Sequence, residues 1–264
     1  MFFLKEQFGS LGLTFRLAKF KIQSENRNNF LGLLWEFLNP AIQISMYWFV
    51  FGLGIRGNSD VEGIPFVHWM LTGIIMWFFV NAAIYEGTTS IYQRYNTVAK
   101  MNFPLTVIPS HTIMGKLYVH LVMLLFLLIF LNFSGYPISI YYIQLIYFIG
   151  LTYFLALAVA LVTSTLAVLI RDVTMLVQAL LRVLFFVSPI LWLPNLLPED
   201  IQKIIMLNPF YYLANGYRAS LLSNEWYILI EWKLTIYNIS LVGVFFFIGA
   251  YLHFKFKDRF SDYI

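Results

Sequence analysis

Ile140–Ile170 reads IYYIQLIYFIGLTYFLALAVALVTSTLAVLI, a run without a single Asp, Glu, Lys, Arg or His. A helix needs about 20 apolar residues, each rising about 1.5 Å, to cross a hydrocarbon layer of about 30 Å. This run exceeds that length. Outward from it, apolar runs at Phe37–Ile55, Ile64–Glu86, Phe103–Leu131, Val173–Leu193 and Thr235–Phe256 have the same character. A soluble domain could not keep six such stretches out of water. The expected fold class is an all-α integral membrane protein with six transmembrane helices.

Composition agrees with this reading. Hydrophobic residues make up 60% of the chain, charged residues 11%, and the mean hydropathy is +0.75, where a soluble domain carries about 25% charged residues. Six spans in 264 residues leave only short ends and loops, so a single transmembrane domain over 1–264 is expected. The chain has no cysteine, which excludes disulfides, thiolate metal sites and a cysteine nucleophile. The apolar stretch Met1-Phe-Phe-Leu4 is too short for the core of a signal peptide, so the segment before the first span is expected to stay on the side where it is made.

The net charge of +4 matters less than its placement. Lys5, Arg16, Lys19, Lys21 and Arg27 precede the first span, Arg94 and Lys100 lie between spans two and three, and Arg171 lies between four and five. Lys255, Lys257 and Arg259 end the last span or follow it; the opposite side holds fewer, Arg56, Lys203, Arg218 and Lys233. The positive-inside rule then puts both termini in the cytoplasm. The basic balance reads as topology and lipid headgroup contact rather than nucleic-acid binding.

Between these runs, four segments stand out. Over 4–27, Leu4, Phe8, Leu11, Phe15, Ala18 and Ile22 recur at helical spacing, with Arg16, Lys19, Gln23 and Arg27 off that face. The pattern fits an amphipathic helix lying in the membrane interface, or an ordinary helix packed on the rest of the chain. At the start of span one, Pro40 is read as a first-turn proline, where its missing N–H costs nothing. Residues 87–102 carry the capping candidates Thr88, Thr89 and Ser90 and a short stripe of Ile91, Tyr95 and Val98. That stripe suits docking to a partner protein and suits packing on its own bundle equally well. The region 194–232 starts a short helix at Pro198-Glu199-Asp200, breaks at Asn208-Pro209 and is too polar to span; it reads as a re-entrant helical hairpin.

No catalytic constellation is evident. His68, His111, His120 and His253 are scattered, without carboxylates at metal-ligand spacing. There is no G-x-x-x-x-G-K-[ST] phosphate loop, so any ATP that drives this chain must be bound by another one. Arg182, Lys116, His120 and Glu86 fall within expected spans, where charge is costly and faces a bundle interior or a cavity. Arg182 fits either a phosphate contact or a structural pair with Glu86 or Glu36; Lys116 fits snorkelling to the interface. Tyr47, Trp48 and Phe51 on span one and Phe185, Phe186 and Trp192 on span five cluster beyond what interface belts require, and their faces suit sugar rings passing along a pathway.

Three stretches resemble a known family. Leu31-Gly-Leu-Leu-Trp-Glu-Phe-Leu-Asn-Pro40, Arg171-Asp-Val173 with Ser188-Pro-Ile-Leu-Trp192, and Asn208-Pro-Phe-Tyr-Tyr-Leu-Ala-Asn-Gly-Tyr-Arg218 are similar, in this order, to ABC-2-type polysaccharide export permeases. Tyr47-Trp-Phe-Val-Phe-Gly-Leu-Gly-Ile-Arg56 resembles the teichoic-acid branch, that of the wall teichoic acid translocation permease. The resemblance implies a non-catalytic permease subunit in the bacterial plasma membrane that pairs with a second copy and with two ATPase subunits, which alone use ATP and Mg. It implies that 87–102 is the coupling helix, with Ile91, Tyr92, Arg94, Tyr95 and Val98 toward the ATPase. The substrate implied is a polymer on undecaprenyl diphosphate, with Arg16, Lys19, Lys21, Arg27 and Arg182 attracting the diphosphate. Other readings are an ABC-2 exporter of O-antigen, capsule, a drug or a lipid, a stand-alone channel or proton-driven carrier, and a membrane-embedded transferase. The scarcity of intramembrane carboxylates and the lack of an acid–base cluster weigh against the last two.

Overall fold

A computed structural model describes residues 9–25, 29–55, 57, 59–98, 105, 107–257 and 260. Among them the regular elements are helices, apart from one tight turn closed by the Val61–Ile64 bridge. Helix α1 (Leu11–Glu25) comes first. A 3₁₀ turn (Gly32–Leu34) leads into α2 (Trp35–Tyr47), which runs on as a π-helix through Trp48–Ile55. Then follow α3 (Phe66–Val98), α4 (Val107–Phe133), α5 (Tyr142–Leu169) and α6 (Asp172–Val187). The short helices α7 (Glu199–Met206), α8 (Pro209–Arg218), with a π-helical extension Ala219–Ser223, and α9 (Tyr227–Ile230) precede α10 (Trp232–Phe256).

Five helical stretches among the described residues are long and apolar enough to cross a membrane: Gly32–Ile55, Phe66–Arg94, Val107–Phe133, Tyr142–Leu169 and Trp232–Phe256. The expected span over 173–193 is cut short. Helix α6 has 16 residues, or about 24 Å at the usual rise, less than the hydrocarbon thickness. The cause is Pro189, whose ring disfavours helical backbone in the residue before it; Ser188 is extended, at φ −77° and ψ 136°. Hydropathy over Val173–Leu193 does not register that stop.

Helix α5 lies at the centre, packed between α3 and α10, with α4 against α3 and α1 against α4. Small residues allow these approaches. A Cβ on Gly87 of α3 would sit 2.6 Å from that of Ala160, and one on Gly249 of α10 would sit 2.7 Å from that of Leu161. Beside the first of these contacts the hydroxyls of Thr88 and Thr163 lie 2.6 Å apart.

Helix α8 seats Gly216 flat on the ring of Phe148, where an added Cβ would meet ring carbon at 2.1 Å. Phe148 is itself fully buried, so the ring has nowhere to retreat. Gly216→Ala is therefore expected to destabilise the protein by about 1–3 kcal/mol, the usual cost of overpacking. A second change, Phe148→Leu, is expected to recover most of that loss. Thermal midpoints of the purified single and double variants test the pair; independent, additive losses would place the clash elsewhere.

Three sequence expectations change. Pro40 stands in the sixth position of α2, not in the first turn, because the helix begins at Trp35. Residues 87–98 are not a separate helix but the continuation of α3, a single helix of 33 residues; residues 99–102 lie outside the described ones. The face that α1 turns to the bundle is Thr14, Ala18 and Lys21, while Leu13, Phe15 and Phe20 stay exposed. The small side chain of Ala18 allows that approach, placing its carbonyl beside Gly115 of α4.

Candidate functional site

A chain of charges ties four helices together at the end of the bundle that carries α1. Glu86 of α3 holds Lys21 of α1 at 2.5 Å and Lys116 of α4 at 2.8 Å. Lys116 also reaches Glu36 of α2 at 3.5 Å. Lys21 is thus buried and turned inward, which corrects its expected place among the diphosphate-facing residues. Lys116 belongs to the same chain rather than snorkelling. Arg16 and Lys19 remain exposed and border a groove of about 510 Å³ with Phe15, Ile22, Gln23, Leu33 and Tyr118. Arg27 lies outside the described residues. Arg182 is exposed on α6 and, among the described residues, forms no ion pair; Glu86 and Glu36 are engaged by the two lysines instead.

Next to the charge chain is a cavity of about 670 Å³, lined by Asn29, Trp35, Glu36, Asn39, Pro40, Gln43, Phe78, Asn81, Ala82 and Lys116. Glu36, Asn39 and Gln43 fall at i, i+3 and i+7 on α2, so one helical face carries them all. Asn81 of α3 answers from across the cavity. This stripe was legible as spacing, yet sequence reasoning passed over it in favour of the aromatics.

Of those aromatics, the fold brings three together. Tyr47 and Phe51 of the first span neighbour each other at 6.4 Å, and Tyr47 meets Phe185 of α6 at 5.3 Å between ring centroids. Trp77 of α3 joins them, 5.6 Å from Phe185 and 5.3 Å from Phe210. Trp48 and Phe186 point outward and are exposed. Trp192 folds back, its indole N–H donating to the carbonyl of Phe186 at 2.9 Å.

At the free end of α3, Ile91 is fully buried in a small cluster with Ile108, Val168 and Phe260. Its side chain is therefore unavailable for docking, which corrects that expectation; the stripe packs on its own bundle at this point. Tyr92 is exposed, with the guanidinium of Arg171 5.6 Å from its ring centre. Arg94 turns back to hydrogen-bond His111. The side chains of Tyr95 and Val98 lie outside the described residues.

The opposite end is closed by α8, held by a residue that the sequence offered only as a charge and as the end of a family-like stretch. Arg218 is buried, its guanidinium 3.5 Å from the ring centre of Trp69. It donates to the carbonyls of Pro189 at 3.1 Å and Ile190 at 2.9 Å, and to the side chain of Asn215 at 3.0 Å. Asn208 caps α8, accepting from the N–H of Phe210 at 3.0 Å, and donates to the hydroxyl of Ser188 at 2.8 Å. Among the described residues there is no group of three or more His, Cys, Asp or Glu suited to a metal ion.

Five long apolar helices among the described residues define a multi-pass membrane protein. The chain belongs to the ABC-2 type transporter family, whose sequence profile matches residues 13–222. It is 27% identical over 219 residues to the O-antigen export system permease protein RfbA of Myxococcus xanthus, a match covering 82% of each chain. It is 25% identical over 237 residues to the protein of that name in Klebsiella pneumoniae, covering 89% of this chain and 88% of the other.

Proposed function

We propose that this chain is the membrane half of an ATP-driven exporter that carries a lipid-linked polysaccharide of the O-antigen type from the inner to the outer leaflet of the bacterial plasma membrane. Family membership supports transport, and the relatives' names support a polysaccharide as cargo. Those names favour an O-antigen-type polymer over the wall teichoic acid suggested by the Tyr47–Arg56 stretch. The observation that carries the reading best is the meeting of Tyr47 and Phe185, 5.3 Å apart between the first span and α6. Apolar rings there present faces on which sugars stack and slide without being held.

In this scheme two copies face each other, both termini lie in the cytoplasm, and two separate ATPase subunits bind ATP and Mg. The end of α3, with Tyr92 exposed and Tyr95 and Val98 beyond it, serves as the coupling tip. Arg16, Lys19, Arg27 and Arg182 attract the lipid diphosphate, and 194–232 forms the re-entrant cap. Movement at the tip travels along α3 to the charge chain, and from there to α1 and the first span. Tyr47, Phe51 and Phe185 then part to open the pathway.

Deleting this chain tests the proposal. The expected result is loss of surface polysaccharide with lipid-linked polymer accumulating inside, and recovery of a stoichiometric ATPase when the tagged chain is purified in mild detergent. Normal surface polymer in the deletion strain would overturn it.

A further inference from the structure

The cavity beside the charge chain has no role in the pathway just described, and its chemistry is unusual for a face of a long apolar helix. Gln43 lies seven residues beyond Glu36 on α2, so the polar stripe climbs about 10 Å along the span. Side-chain amides facing hydrocarbon would leave several donors and acceptors unmade. Asn39, Gln43 and Asn81 are all exposed to the cavity side rather than packed. They need water or a hydroxylated partner.

The charges decide which partner. Glu36 and Glu86 balance Lys21 and Lys116, and each carboxylate lies within 3.5 Å of an ammonium. The cavity is therefore polar but close to neutral, a poor site for a diphosphate and a good one for hydroxyls. Each amide offers both donors and an acceptor, as a sugar hydroxyl requires. Trp35 also lines it, 37% exposed, with a flat apolar face for the carbon side of a ring. A volume of about 670 Å³ lies within the range of about 300–1,000 Å³ common to small-ligand sites.

We infer that this cavity is a saccharide-binding subsite, in which Asn39, Gln43 and Asn81 hold uncharged sugar units of the polymer against Trp35 before they reach the aromatic seam. The inference rests on the export reading and assigns a distinct place within it. The amides serve as a specificity filter: their hydrogen bonds are left unmade by a bare lipid, which gains nothing from entering.

Site-directed photocrosslinking in the native cell tests the inference. A benzoylphenylalanine probe is placed at Gln43, at Asn81, at Tyr47 and at the outward-facing Phe247, which is 77% exposed on α10. Glycan adducts at Gln43 and Asn81 but not at Phe247 are expected. Adducts at Tyr47 alone, with Gln43 and Asn81 giving only lipid or a second copy of the chain, would overturn the subsite and leave export standing. Glycan at none of the four positions would also overturn it, while surface polymer in the deletion strain decides the export reading separately. Gln43→Leu with Asn81→Leu supplies a second readout, since leucine suits a span and leaves folding intact. Export at equal membrane abundance is expected to fall about tenfold, the scale of one or two lost hydrogen bonds; an unchanged rate would overturn the subsite.

Discussion

Glu86→Gln is expected to be among the most damaging single changes in this chain. The substitution keeps the shape of the side chain and removes its charge. Lys21, with 6% of its side chain exposed, and Lys116, with 13%, would then face each other across the space that the carboxylate had bridged. Breaking a buried ion pair costs about 3–5 kcal/mol, because the partner stays buried without compensation. Glu86 retains 28% exposure, so the loss is expected near the lower end, about 3 kcal/mol. Lys116 keeps Glu36; Lys21 keeps a weaker share of that carboxylate's field. Hence Lys21→Met on top of Glu86→Gln is expected to recover most of the stability, whereas Lys116→Met on the same background also removes the ammonium 3.5 Å from Glu36 and recovers less. Thermal unfolding of the purified chains in one detergent measures all three. A Glu86→Gln protein as stable as the parent would show that the Glu86 carboxylate is not what compensates the lysines.

That charge chain also marks the limit of what the sequence discloses. The long apolar runs were legible because a hydrocarbon layer sets a length and a composition that few residues can evade. Individual pairings were not. Glu86 meets Lys21 across 65 positions of sequence, and nothing in spacing or periodicity selects that partner over Arg16 or Lys19. Amphipathic spacing in α1 was visible, but it ranked Phe15 above Lys21 as the buried residue. The ion pair with Glu86 draws Lys21 inward, while the small Ala18 lets α1 come close to Gly115. At the end of α3 the stripe through Ile91 was real, and either of its two readings satisfied the pattern. Only the neighbouring Ile108 and Val168 decide that Ile91 faces inward.

The candidate site divides in the same way. Tyr47, Phe51 and Phe185 were legible as aromatic excess on two spans, and the fold brings them together. Trp77 was not, because a tryptophan inside a long apolar run has no feature to separate it from ordinary core. The amide stripe of Asn39 and Gln43 was present in plain spacing. It gains meaning only when Asn81, on another helix, is seen to face it across an open cavity.

Arg218→Ala is expected to loosen the α8 end of the bundle as severely as Glu86→Gln loosens the other. Pro189 stops α6, and a broken helix leaves backbone carbonyls without their usual N–H donors. Arg218 supplies donors in their place, to Pro189 and Ile190, while stacking on Trp69. The fork of the guanidinium matters: it serves the carbonyls of Trp69, Pro189 and Ile190 and the side chain of Asn215 at once and still presents a flat face to the indole. A lysine ammonium is a compact point charge and cannot do both. Arg218→Ala is expected to cost about 3 kcal/mol or more, from two buried carbonyls left unpaired and a lost cation–π contact. Arg218→Lys is expected to recover less than half of that. Gly73→Ala provides an independent check, because a Cβ there would stand 2.7 Å from the terminal nitrogen of Arg218 and push the guanidinium away without removing it. All three variants should lower the thermal midpoint and raise proteolytic cleavage near Pro194–Leu196, with Gly73→Ala the mildest. Cleavage unchanged in Arg218→Ala would mean that Asn208 and Ser188, not the arginine, hold α8 in place.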